Sequence, residues 1–127
     1  MATVRQEVTL PAPPSRVYDA LLKSDQHAAF TGEAATIDAR PGGAWKAYDG
    51  KIAGYTLDLE PAARIVQAWR AGNWAPGHYS VVRIELAAAD GGTRLTLVHD
   101  ALPADQAGHI DGGWHAMYWE KLKTYLG

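Results

Sequence analysis

The 127-residue sequence contains no cysteine. That excludes disulfides, zinc–thiolate sites and thiol-based catalysis. No apolar run approaches the ~20 residues that a membrane-spanning helix needs. The first residues, Met1-Ala2-Thr3-Val4-Arg5, also lack the apolar core of a signal peptide. The expectation is a cytoplasmic protein with no membrane partner. Nor is positive charge concentrated anywhere. Lys and Arg number 12 against 14 Asp and Glu, a net charge of −2. The basic residues are scattered from Arg5 to Lys123 and form no stripe, which argues against nucleic acid as a partner. Repeats, linkers and low-complexity tracts are missing as well, so one domain over residues 1–127 is expected.

Phenylalanine is nearly absent. One Phe stands beside five Trp and six Tyr. Large rings with a polar tip suit a half-apolar surface, either a ligand cavity or an interface; the plainer alternative is that they fill the core.

The pattern of turns and periods gives an order of elements. Residues 3–10 alternate as an edge strand, and Pro11-Ala12-Pro13-Pro14 ends it. Val17, Ala20 and Leu21 share a helical face, so residues 14–23 read as a short helix. Ser24 is placed to cap a second helix over 25–31 that Gly32 ends. Period-two patterning then predicts strands at 34–40, 44–48, 51–60, 64–70, 78–88 and 93–100, with short turns that make neighbours antiparallel. Both Gly42-Gly43 and Gly91-Gly92 fall in such turns, and neither precedes a helix as a phosphate cradle requires. Ile110, Trp114, Met117, Tyr118, Leu122 and Tyr125 recur at helical spacing over 104–126, with Gly112-Gly113 expected to kink the helix early. One apolar sheet face and one apolar helix face satisfy each other, which makes the fold class α+β.

The residues that carry this order resemble a known family. Pro11 to Leu21, the Gly42-Gly43 pair before an aromatic strand, Gly54, Ile65 to Arg70, and Asn73 to Ser80 are the matching stretches. Gly92-Thr93-Arg94-Leu95, Leu102-Pro103, Gly113-Trp114, Tyr118-Trp119 and Leu122 complete the set. The chain resembles the helix-grip superfamily of START, birch-pollen-allergen and polyketide-cyclase domains. Within it, the chain looks like the domain homologous to the C-terminal half of the activator of the heat-shock protein 90 ATPase. This resemblance implies a curved antiparallel sheet wrapped around a long C-terminal helix, with two short helices after the first strand. Members of the superfamily bind sterols, hormones or polyketides, and some catalyse. The co-chaperone itself carries a separate N-terminal domain that makes the main chaperone contact. The sequence begins directly at the helix-grip domain, which makes a heat-shock protein 90-type chaperone a doubtful partner. A co-chaperone-like protein-interaction module, motivated by the match at Ile65 to Ser80 and Gly113 to Leu122, stands as the alternative to a ligand-binding domain.

Alternation on that fold points Trp45, Tyr55, Leu57, Gln67, Trp69, Ser80, Val82, Ile84 and His99 toward the helix, with Ile110, Trp114, Met117 and Tyr118 facing back. An apolar wall bearing a few polar groups is the composition of a small-molecule site, so a small apolar ligand is expected between sheet and helix. The alternative is that the large rings leave no cavity there. Gln67 and His99 would orient a polar group of the ligand, or bond to each other, to a backbone carbonyl or to water. Asp58 and Glu60 fall on the polar face and read as solvated. His99 is the one inward group that titrates near neutrality, and it would be the base of a cyclase- or hydrolase-like enzyme. Without a partner for it in the sequence, no catalytic residue is assigned. His109 and His115 lie six residues apart, roughly 600° around a helix, and do not share a face; no metal and no other cofactor is expected. Trp74, in the loop 71–78, is either an exposed contact anchor or lid or is folded back on the sheet edge. Tyr48 and Tyr79 are expected on the outer face, where they would support a homodimer.

Overall fold

The computed structural model describes all residues from Met1 to Gly127. Strand β1 (Ala2–Leu10) stops at the proline-rich segment, and Pro14 opens helix α1 (Pro14–Leu22), where the missing N–H of a first-turn proline costs nothing. This helix buries Val17, Ala20, Leu21 and Leu22. Helix α2 (Ser24–Thr31) ends at Gly32, whose φ of 77° is the left-handed conformation that glycine adopts freely. Ser24 is not the cap it was expected to be. Lys23 takes the capping position, and the Ser24 hydroxyl instead accepts the Ile37 N–H at 2.9 Å.

Six further strands follow: β2 (Thr36–Ile37), β3 (Ala44–Ala47), β4 (Ile52–Glu60), β5 (Arg64–Ala71), β6 (Ser80–Ala89) and β7 (Gly92–Leu102). They form one sheet in the order β1-β7-β6-β5-β4-β3-β2, antiparallel throughout. The expected strand 34–40 shrinks to two paired residues because the chain already turns at Asp38, where Arg40 N–H bonds back to the Asp38 carbonyl. Alternation sorts most of the sheet as expected: Trp45, Ile65, Trp69, Ser80, Val82, Ile84, Leu95, Leu97 and His99 are all buried on the inner face.

Strand β4 is inverted. Tyr55 and Leu57 are 47% and 48% exposed on the outer face, while Gly54 and Thr56 point inward. Two neighbours impose this. The Trp45 indole lies against Gly54, where an added Cβ would sit 3.1 Å from Trp45 Cε2 and overlap the Ala68 carbonyl. Thr56 is tied to the preceding loop through Gly42 N–H, Gly43 C=O and its own hydroxyl on the Asp38 carbonyl. A bulge between Thr56 and Asp58 then shifts the register, so Leu57 and Asp58 are both exposed and Leu59 turns back toward the core. Tyr48 also departs from expectation. With φ of 51° it leaves β3 at the hairpin, is buried, and donates its hydroxyl to the Met117 carbonyl.

The C-terminal helix passes through Gly112 and Gly113 without a break as α3 (Ala107–Trp114). The irregularity comes one turn later. Residues His115–Trp119 form a π-helical turn, closed by the Glu120 N–H on the His115 carbonyl, before α4 (Glu120–Leu126). The extra residue stacks Trp119 on Trp114, five positions earlier, with ring centroids 5.3 Å apart and planes at 17°. Met117, expected inside, is displaced outward and is 46% exposed; Tyr118, Trp119, Leu122 and Leu126 are buried.

Gly54→Ala should cost about 3 kcal/mol or more through overpacking against strand β5 and Trp45. Gly113→Ala, with nothing within 4 Å of its Cβ, should be neutral or stabilising by up to ~1 kcal/mol. Urea unfolding of the two variants separates these outcomes.

Candidate functional site

Polar tips of the helix rings are held by polar side chains of the sheet and of α2. Trp114 Nε1–H donates to His99 Nδ1 at 3.0 Å, and His99 Nε2 meets Ser80 Oγ at 2.7 Å. The accepting Nδ1 places the imidazole proton on Nε2, so His99 donates to Ser80, whose hydroxyl donates to the Trp69 carbonyl at 2.8 Å. Trp119 Nε1–H donates to Gln6 Oε1 at 2.6 Å, and Gln6 Nε2 returns to Asp111 Oδ1 at 2.6 Å. Tyr118 Oη lies 3.0 Å from His27 Nε2.

These partners answer the question about His99. It is fully buried, and both ring nitrogens bond to protein groups other than Gln67. Burial lowers its pKa to about 4, as it does for His27. Protonation would also set a new N–H on Nδ1 against the Trp114 N–H, two donors with no acceptor between them. His99 is thus a neutral clasp between sheet and helix.

Between sheet and helix the rings leave only about 20 Å³, a void lined by His27, Trp45, Gln67, Trp69, Trp114 and Tyr118 among others. That is room for one water. His27 Nδ1 and Trp45 Nε1, which no protein group reaches, belong to residues on its wall. A larger space lies at the end of the sheet. A cleft of about 450 Å³ opens between the end of α2, the β3–β4 hairpin, the end of β5 and the C-terminal helix. Its apolar lining includes Ile52, Trp69, Ile110, Trp114, Met117 and Tyr118. Around these stand Asn73, Gln106, His109 and the Glu33–Lys51 pair at 3.5 Å. Lys121, also on the wall, spans to the Thr31 carbonyl at 3.3 Å.

Of the residues expected at a ligand site, Trp69, Ile110, Trp114, Met117 and Tyr118 line this cleft. Trp45, Gln67 and Ile84 line the small void instead. Ser80, Val82 and His99 are fully buried in the packed interior, and Tyr55 and Leu57 are on the opposite face. Sequence reasoning missed Lys51, Asn73, Gln106, His109 and Gly113, which sit at element ends or on a helix flank where neither period identifies an inward side. Trp74 is folded back, its ring 5.4 Å from Trp69 and 5.4 Å from His78. No group of three or more His, Asp or Glu side chains is positioned to hold a metal ion, and no helix is long and apolar enough to cross a membrane.

A sheet closed over a C-terminal helix, with two short helices inserted after β1, is the helix-grip fold. Comparison with known proteins narrows the class. The family described as Activator of Hsp90 ATPase homolog 1-like protein matches residues 11–127, and the chain belongs to it. The human protein Activator of 90 kDa heat shock protein ATPase homolog 1 is 30% identical over 114 residues, covering 90% of this chain and 34% of the human protein. The chain spans between 29% and 38% of the length of the curated relatives it matches. Among solved structures, an HSP90 activator from Plasmodium falciparum superposes with a TM-score of 0.92 at 22% identity, covering 100% of this chain and 97% of that one. The Aha1 dimer from Colwellia psychrerythraea shares the fold with a TM-score of 0.82 at 17% identity, each chain fully covered.

The two buried histidines set a pH dependence. Each has a folded pKa of about 4, below its ordinary 6.5, so the unfolded chain binds more protons between these values. Their contribution is intact above about pH 6.5 and is lost as pH falls, by about 3 kcal/mol each at pH 4. His99→Leu should be less stable at pH 7 by about 1–3 kcal/mol, since Ser80 and Trp114 lose their partner. Its stability should also decline less steeply below pH 6.5 than that of the wild type. Equal slopes in urea titrations of both proteins would show that His99 does not carry this dependence.

Proposed function

We propose that the domain binds a small, largely apolar molecule in the cleft at the end of the sheet, without catalysing its conversion. The observation that carries this reading is the cleft itself: about 450 Å³, within the size range of small-molecule sites, with aromatic and aliphatic walls and a few polar groups around them. Trp69 and Trp114 offer ring surface, and Asn73, Gln106, His109 and Lys121 offer hydrogen bonds to a polar end. The catalytic alternative through His99 lacks support, because that imidazole is removed from solvent and both its nitrogens are committed.

Gly113 supplies a direct test. Its Cβ position faces open space on the cleft wall, so Gly113→Leu fills the cleft without striking the backbone. The neutral probe N-phenyl-1-naphthylamine should gain fluorescence on wild-type protein and not on Gly113→Leu, with the thermal midpoint retained. Unchanged probe binding by the variant would place any apolar site elsewhere.

A second reading, a co-chaperone-like interaction module, is favoured by the family match over residues 11–127 and by the description of the human relative. It predicts that adding the protein changes the ATPase rate of a heat-shock protein 90-type chaperone, measured by steady-state phosphate release. An unaltered rate together with no co-purifying chaperone would reject it.

A further inference from the structure

Three buried side-chain nitrogens have no hydrogen-bond partner in the protein: His27 Nδ1, Trp45 Nε1 and Trp74 Nε1. The first two belong to residues on the wall of the same space, the void of about 20 Å³ between sheet and helix. Both residues are all but closed to solvent, His27 at 3% and Trp45 at 4% exposure. Each ring is also held from another side. The Phe30 ring packs on the His27 imidazole with centroids 4.9 Å apart, and the Trp45 indole rests against Gly54. Gln67 stands on this wall too, and its amide makes no hydrogen bond within the protein.

The direction of the His27–Tyr118 bond decides what the void has to hold. Burial keeps the His27 pKa at about 4, so at neutral pH one ring nitrogen carries a proton and the other accepts. Were that proton on Nε2, His27 would donate to Tyr118 Oη at 3.0 Å, and the phenol O–H would be left without an acceptor. The phenol therefore donates to Nε2, and the proton sits on Nδ1. Trp45 Nε1 is a donor in every state. Two N–H groups of wall residues thus lack an acceptor, which makes the space unsuitable for a cation. No charged side chain lines it, so an anion would be buried there uncompensated. A neutral oxygen that accepts twice fits both constraints. Water does so, and it has protons to offer the Gln67 carbonyl oxygen. The void also exceeds the roughly 10–15 Å³ that one water requires.

We propose that this void is a water site. One water molecule, integral to the fold, accepts from Trp45 Nε1–H and His27 Nδ1–H and donates to Gln67 Oε1. It ties β3, α2 and β5 together, and through His27 it positions Tyr118, whose ring lines the cleft as well as the void. Two NMR measurements on the full chain at pH 7 test it. Long-range proton–nitrogen correlation reads the His27 tautomer, and a water-selective Overhauser experiment reads contact between water and the Trp45 indole N–H. Expected are the Nδ1–H tautomer and a cross-peak whose sign marks a water bound for longer than the protein tumbles. Gln67→Leu removes the acceptor and should lose the cross-peak, with circular dichroism checking that the variant is folded. Trp45→Phe should leave the tautomer unchanged, since Tyr118 sets it. Gly113→Leu should keep both signals, which separates this site from ligand binding in the cleft. The proposal is overturned by an Nε2–H tautomer, by absence of the cross-peak in the wild type, or by a cross-peak indifferent to Gln67→Leu. It is equally overturned if exchanging chloride for bromide shifts the Trp45 indole resonance, which would make the occupant an anion. Should Gln67→Leu not fold, the two wild-type readings decide.

Discussion

The hydrogen bond from the Trp114 indole to His99 is the constraint around which the interior is arranged. A buried indole N–H without an acceptor costs roughly 1–3 kcal/mol, so every tryptophan that the helix lowers onto the sheet needs a polar group waiting for it. His99 and Gln6 are those groups, and Ser80 in turn orients His99 against the Trp69 carbonyl. The scarcity of phenylalanine follows the same logic. Rings with polar tips do more than occupy volume: the indoles of Trp114 and Trp119 tie the helix to His99 and Gln6 of the strands.

This packing moves the available space. The rings of Trp45, Trp69, Trp114 and Tyr118 close the space between helix and sheet to room for one water. The opening survives only at the end of the sheet, where the β3–β4 hairpin and the end of β5 part from the helix.

Most of the architecture was legible in the sequence because turn residues and period-two runs are local signals. The element order, the inner faces of β3, β5, β6 and β7, and the family resemblance all rest on such signals. What was not legible depended on neighbours. Tyr55 and Leu57 alternate in β4 like core residues, and only the Trp45 indole against Gly54, together with the ties of Thr56 to Gly42 and Gly43, turns them outward. Met117 stands three residues after Trp114, a spacing that reads as inward on an α-helix; the π-helical turn rotates it out and brings Trp119 in. The position of the cleft was hidden for a related reason: the volume left between elements is decided by side-chain rotamers and element ends, which periodicity does not describe.

The π-helical turn has a further consequence, for the lengths the chain tolerates. Such a turn is an α-helix that has absorbed one extra residue, and it holds that residue at a single place, His115–Trp119. An insertion or deletion anywhere else in the helix swings every later side chain by about 100°, carrying Leu122 and Leu126 off the sheet. Loss of one residue inside the turn lets it relax to ordinary helix with both leucines still facing inward, at the expense of one clasping ring. Among descendants of this sequence, changes of helix length have one position where they can be accommodated, and it coincides with the segment that seats the aromatic clasp.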